Sequence, residues 1–195
     1  MTTPYRTSLA PVSPEAAEGD ARAALDKAES QVGFVPHMYQ AMANSPGLLD
    51  TYLHGYQQFR ENSVFAPAEQ EVVFLVISRE NGCHYCMAAH SFLADKQSGV
   101  PGVVTDAVRN YETIPDPRLA ALARFTAIMV ETRGRPTSAD AQAFLDAGFS
   151  ERHILDIVLA QAVKTLSNYT NHLFHTEVDS LFAGRTWNDP HSSAA

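Results

Sequence analysis

Cys83-His84-Tyr85-Cys86-Met87-Ala88-Ala89-His90 holds the only two cysteines of this 195-residue chain, three positions apart, with a histidine four further on. Positions i, i+3 and i+7 of a helix share one face. A helix here brings two sulfurs and an imidazole onto one stripe. Asn81-Gly82, just before it, reads as a helix C-cap and breaker. A new helix is therefore predicted from about Cys83. Both thiols lie in its first turns, where backbone N–H groups and the helix dipole favour a thiolate.

On the N-terminal side, Ala66-Pro67-Ala68-Glu69 starts a helix with an apolar body of Val72, Val73, Leu75, Val76 and Ile77. The proline start and the length to Glu80 favour a buried helix over a strand. Ser45-Pro46 starts another, carrying Leu48, Leu49, Tyr52, Tyr56 and Phe59 at helical spacing. Ser13-Pro14-Glu15 starts the first helix, to about Gln31, and a short one follows the turn at Phe34-Val35-Pro36-His37. On the C-terminal side the Cys83 helix runs to about Gln97 and stops at Gly99. Pro101 opens the next, to about Tyr111. Residues 118–133 and 138–147 form two more, and Ser150 caps a long segment to about Phe182.

No stretch reads as a strand, so the fold class is all-α, a helical bundle. Residues 1–12 read as an extended arm, either loose or packed on a partner subunit, 13–183 as one domain, and 184–195 as a loose tail. The chain also echoes itself: Phe149-Ser150-Glu151 begins a helix much as Phe65-Ala66-Pro67 does. In that register Glu71 meets His153, Cys83 meets Thr165, Cys86 meets Asn168 and His90 meets His172. This predicts a degenerate internal duplication of a helix pair, with the CxxC copy at about 46–99 and a thiol-free copy at about 117–183.

Composition narrows the function. Hydrophobic residues make up 45% of the chain, and the formal charge of −8 is spread without long runs. That argues against nucleic acid and against anionic membrane surfaces. No apolar run reaches the roughly 18 residues of a membrane span, and MTTPYRTSLAPVSPEAAEGD has no apolar signal core. A cytoplasmic protein is expected. In that compartment a lone CxxC points to redox chemistry or metal before a structural staple.

Reduction of a peroxide by cysteine needs a thiolate, a base to make it, a proton for the leaving oxygen and a second thiol to resolve the sulfenic acid. Cys83 and Cys86 supply the thiols, and His90, one turn beyond Cys86, can exchange a proton with it. A carboxylate would orient His90. Glu71 and Glu80 are the nearby acids, and Glu71 is preferred because it interrupts an apolar helix, where an unpaired acid is costly. His84 and Tyr85, between the cysteines, are candidates for the pocket wall. His172 reads as an interior hydrogen-bonding histidine. Other classes stay open. Cys83, Cys86, His90 and Glu71 make a conceivable zinc set, although no second CxxC exists to complete a usual closed site. A general thiol–disulfide oxidoreductase, a metal-binding or redox-sensing oligomer, and a lyase acting through His90 and Glu71 use the same residues.

Glu71, eleven residues, then Cys83-x-x-Cys86-x-x-x-His90 resembles the signature of the AhpD-like alkylhydroperoxidases within the carboxymuconolactone decarboxylase family. Gly33-Phe34-Val35-Pro36, Ser45-Pro46 with Leu48-Leu49, the stretch from Asn81 to Cys86, and NYTNHLFHTEVD at 168–179 are similar to its peroxidase-related branch. The likeness covers about 10–183. It implies an AhpD-like helical bundle with internal duplication and a homo-oligomer, commonly a dimer, trimer or hexamer. By motif position it implies Cys86 as the peroxide-attacking thiol, Cys83 as the resolving thiol, and Glu71 with His90 as the proton relay. The implied substrate is a small hydroperoxide and the implied partner an external dithiol donor, with no cofactor and no metal. Better-studied members carry a histidine directly before the second cysteine. Here that position is Tyr85, and a histidine stands one earlier, at His84. Members that decarboxylate lactones use no such cysteine pair.

Overall fold

The computed structural model describes residues 3–191, and every regular element among them is helical. In chain order α1 is Gly19–Val32, α2 His37–Met42, α3 Pro46–Asn62, α4 Pro67–Glu80, α5 His84–Lys96, α6 Gly102–Asn110, α7 Pro117–Glu131, α8 Ser138–Asp146 and α9 Glu151–Phe174. A 3₁₀ helix, Ser180–Arg185, follows. The starts follow from the sequence. Proline opens α3, α4 and α7, where its missing N–H would have had no helical partner anyway. Glu69 accepts the Ala66 N–H at 2.9 Å, Asp116 accepts the Leu119 N–H at 2.8 Å, and Thr137 accepts the Asp140 N–H at 3.2 Å.

α4 is the axis of the bundle. All residues from 69 to 78 are buried, and α5, α6, α7 and α9 pack around it. Its β-branched run therefore lies in a helix, as its proline start predicts. Phe59 packs on Phe74 with ring centroids 4.6 Å apart, and Phe144 stacks between Phe125 and Phe149 at 4.3 and 4.4 Å. α3 and α9 approach closely at Gly55, where a Cβ would stand 3.0 Å from Val163.

The turn from α4 to α5 positions the chemistry. Gly82 takes the left-handed conformation at φ +65. Its N–H bonds to the Arg79 carbonyl at 2.9 Å, and the Cys83 N–H bonds back to the Ser78 carbonyl at 2.9 Å. This is a Schellman close. It reverses the chain, lays α5 antiparallel on α4, and leaves Cys83 as the N-cap of α5.

Four expectations need correction. The first helix does not start at Pro14. Ser13–Ala16 is one hydrogen-bonded turn, and α1 opens only at Gly19, which takes φ +54. The last helix ends at Phe174, not near Phe182, because His175 turns left-handed at φ 50 and the Thr176 N–H closes on the Asn171 carbonyl at 3.1 Å. Residues 184–191 are not loose. Trp187 is 5% exposed, its indole N–H donates to the Arg109 carbonyl at 2.9 Å, and Arg185 pairs with Asp95 and Asp106. The tail expected at 192–195 lies outside the described residues. The echo also takes another form than a copied helix pair. α9 runs unbroken where Asn81-Gly82 would recur, so His153 and His172 stand about 28 Å apart along one axis.

The N-terminal arm, from residue 3, is extended and lies on its own chain. Thr7 N–H bonds to the Leu173 carbonyl and Val12 N–H to the Gln40 carbonyl, each at 2.9 Å. Among the described residues no helix is long and apolar enough to cross a membrane. Because Trp187 is buried, Trp187→Ala is expected to cost about 3–5 kcal/mol in urea unfolding. A loose tail would give no change.

Candidate active site

The α4–α5 hairpin brings Glu71 and His90, nineteen residues apart in sequence, into contact. Glu71 Oε2 lies 2.8 Å from His90 Nδ1. Its other oxygen, Oε1, is held by Arg60 of α3, and Ser98 donates to it at 3.4 Å. Arg60 in turn donates to the Tyr56 hydroxyl at 2.8 Å and to Gln70 Oε1 at 3.1 Å, and its guanidinium lies 4.9 Å from the Tyr56 and Phe74 ring centroids. Glu71 is 0% exposed and His90 4%.

The charge states follow. Burial pushes the Glu71 carboxyl up, but its pairings with His90 and Arg60 outweigh it and hold Glu71 below its ordinary range. Burial, joined by the positive charge of Lys164, pushes His90 down against the opposing pull of Glu71, so the ring is neutral. A carboxylate only accepts, so Nδ1 carries the ring proton and Nε2 is left as an acceptor. That is the tautomer a general base needs.

Both cysteines are free and buried. The Asn171 amide of α9 donates to both sulfurs, 3.3 Å from Cys86 and 3.8 Å from Cys83. The two thiols differ sharply. Burial raises Cys83, and its hydrogen bond and proximity to Cys86 raise it further. Burial also opposes ionisation of Cys86, but the hydrogen bond from Cys83, the charge of Lys164 and the nearby His90 ring bring it well below an ordinary thiol. The surroundings therefore favour the negative charge on Cys86 and the proton on Cys83.

Cys86 and His90 line a cavity of about 310 Å³. Its walls are aromatic: Tyr39, Tyr52, Tyr56, Tyr85, Phe92 and Phe182. Cys83 instead borders a separate cleft of about 630 Å³ with His84, His172, His175 and Asn171. A third cleft, of about 440 Å³ between α7 and α8, has only Arg124 and Asp140 as charged lining groups.

The structure thus assembles Cys83, Cys86, His90 and Glu71 around one hairpin. Tyr85 lines the Cys86 cavity, with its hydroxyl donating to the Asp179 carboxylate. Burial and that carboxylate keep the phenol protonated. His84 does not reach this cavity. It is exposed, 2.8 Å from the Trp187 carbonyl through Nδ1, and faces the Cys83 cleft. Glu80 is not part of the site either, since it pairs with its neighbour Arg79 and lines neither cavity. His172 is exposed rather than interior. Cys83, Cys86, His90 and Glu71 do not converge on one point as the alternative zinc reading requires. Among the described residues no group of three or more His, Cys, Asp or Glu stands close enough for a metal ion, and Glu71 already uses both oxygens on Arg60 and His90.

Arg60, Lys164, Asn171 and Asp179 were not legible as site residues. The available signal was on α9, where Lys164, Asn168 and Asn171 follow at helical spacing among Ala160, Val163 and Ser167. A lysine on the buried face of an apolar helix needs a partner.

No protein-family model and no curated protein matches the chain. Solved structures do. The chain is similar to an alkylhydroperoxidase AhpD core, an uncharacterised peroxidase-related protein from Ralstonia eutropha JMP134. The TM-score is 0.77 and the identity 24%, over 92% of this chain and 97% of that one. A second uncharacterised peroxidase-related protein, from Silicibacter sp. TM1040, gives a TM-score of 0.76 and 22% identity over 94% and 96% of the two chains. A cysteine variant of the debrominase Bmp8, in complex with 2,3,4-tribromopyrrole, gives 0.76 and 14% identity over 94% and 97%. The chain therefore has the all-α, AhpD-like fold.

Two outcomes test the site's electrostatics. Arg60→Met strands the buried Glu71 charge and is expected to cost about 3–5 kcal/mol in urea unfolding. His90 is depressed in the folded state, so the unfolded chain binds its proton first. Stability should be intact above the unfolded histidine value of about 6.5 and fall as pH drops below it. His90→Gln should flatten that part of the melting-temperature profile.

Proposed function

We propose that this chain is a thiol-dependent organic hydroperoxide reductase of the AhpD-like kind. The observation that carries it is the geometry of the pair. Cys86 shares an aromatic cavity with a His90 oriented by Glu71, and Cys83 stands beside it under the same Asn171 amide.

The Cys86 thiolate attacks the terminal oxygen of the hydroperoxide, while His90 Nε2 accepts a hydrogen bond from its O–H. The O–O bond breaks, Cys86 becomes a sulfenic acid, and the alkoxide leaves and is protonated to the alcohol. Cys83 then loses its proton to His90, its sulfur displaces hydroxide from the sulfenic acid, and that hydroxide takes the proton and leaves as water. The resulting disulfide is reduced by an external dithiol, with the cytoplasm as the setting that keeps such donors available. Glu71 is a positioning residue that fixes the tautomer of His90. A homo-oligomer accords with α9, whose exposed stripe of Leu155, Val158, Ala162, Thr165, Tyr169 and Leu173 carries no charge.

The debrominase of the same fold, together with the aromatic cavity, favours one second reading. In it the same two thiols supply two electrons to a bromoarene, releasing bromide and leaving arene and disulfide.

Cys86→Ser is expected to abolish hydroperoxide consumption. Cys83→Ser should allow one turnover and leave a sulfenic acid that a dimedone probe captures. Full activity in Cys86→Ser would overturn the assignment. Faster turnover of 2,3,4-tribromopyrrole than of cumene hydroperoxide would favour the second reading, and faster turnover of a small disulfide would favour a general thiol–disulfide oxidoreductase.

A further inference from the structure

Lys164 lies midway along α9 and is 0% exposed. Its ammonium has no nitrogen or oxygen partner among the described residues. It stands 5.5 Å from the Phe74 ring centroid and lines the same aromatic cavity as Cys86 and His90. A buried cation without a partner is not sustained in a folded protein unless an anion or a lost proton compensates it. The nearby carboxylates are committed. Glu71 is held by Arg60 and His90, and Asp179 accepts from Tyr85 and from the His37 N–H. Among the groups that line the cavity with Lys164, the Cys86 sulfur is left to carry the negative charge beside it.

We propose that Lys164 is the resident counter-ion of the Cys86 thiolate and the acid that protonates the leaving alkoxide. The second half rests on the hydroperoxide reading above; the first half does not. In the first step the thiolate takes the terminal oxygen as OH, the O–O electron pair leaves on the alkoxide, and Lys164 passes it one proton. The lysine is then a neutral amine beside a neutral sulfenic acid and later a neutral disulfide. When an external dithiol reduces the disulfide, the proton that arrives on Cys86 returns to Lys164 and restores the ion pair. The site stays electrically balanced through the cycle. The ion pair exists only in the reduced form, so it stabilises that form and makes the couple more oxidising.

The other groups facing Cys86 do not substitute for the lysine. His90 on α5 is neutral, and Glu71 on α4 is anionic, with the charge of Arg60 from α3 bound to it. Burial keeps Tyr39 of α2, Tyr52 and Tyr56 of α3 and Tyr85 of α5 protonated. His172, further along α9, is lowered by partial burial. Cys83 is a thiol.

The test uses the full chain carrying Lys164→Met or Lys164→Arg, each also combined with Cys83→Ser so that one thiol titrates. Thiolate ultraviolet absorbance is followed against pH, and single-turnover rates are measured with cumene hydroperoxide. Lys164→Met should raise the Cys86 midpoint by about one pH unit or more, an about tenfold loss of thiolate at fixed pH below the midpoint. It should also lower the disulfide potential against glutathione by about 30 mV for each tenfold. Arginine keeps the charge but does not give up its proton. Lys164→Arg should therefore hold the midpoint low while turnover stays about tenfold or more below that of the parent. Methionine removes a buried charge without adding a polar atom, so this variant is expected to fold. If it does not, an unshifted midpoint in a folded Lys164→Gln variant is equally decisive. A folded Lys164→Met or Lys164→Gln variant with an unchanged midpoint overturns the counter-ion role. Full turnover in Lys164→Arg overturns the acid role. The titration involves no peroxide, so failure of the hydroperoxide reading would leave its result standing.

Discussion

Glu71 is a carboxylate with no solvent contact, in the middle of the most enclosed helix of the bundle. It is tolerable there only because a guanidinium takes one oxygen and an imidazole N–H takes the other. That requirement ties three helices together. Arg60 must come from α3, His90 from α5, and α4 must carry Glu71 between them. The same contact fixes the tautomer of His90, so the interaction that makes the buried charge acceptable also leaves the base pointing its free nitrogen away from the carboxylate. Structural necessity and chemical competence share one set of hydrogen bonds.

The hairpin that makes this contact possible is itself a local event. Gly82 at positive φ, with the Gly82 and Cys83 N–H groups turned back on Arg79 and Ser78, closes α4 and opens α5 within three residues. Cys83 is consequently an N-cap and Cys86 sits in the first helical turn. Asn171 and Lys164 then reach the pair from α9, a helix distant in sequence. The two sulfurs are chemically equivalent on paper and inequivalent in place: one opens on the aromatic cavity, the other on a histidine-lined cleft across the hairpin.

Much of this was legible before the structure. The proline starts of α3 and α4, the Asn81-Gly82 break, and the spacing from Glu71 to His90 are local signals, and local signals survive folding because capping and helix periodicity act within a few residues. Where the reading failed, the physics was not local. The end of α9 turns on His175 adopting a conformation usually left to glycine. Burial of the 184–191 segment depends on a tryptophan finding Arg109, nearly eighty positions earlier. The internal echo aligned two sequences, but nothing in α9 supplies the left-handed residue that would break it into a pair.

By itself, then, the sequence determined the helical class, most helix boundaries, and the four residues Glu71, Cys83, Cys86 and His90 as a single constellation, because each rests on spacing along one or two adjoining helices. Only the tertiary structure decided the charges. Whether Cys86 is a thiolate, whether His90 is neutral, and which groups stand against them are set by burial and by partners on α3 and α9, and electrostatic energies depend on distance in space and on excluded water. Lys164 shows the difference most plainly. In sequence it is one lysine among fourteen basic residues; in the fold it is a buried cation facing the reactive sulfur's cavity.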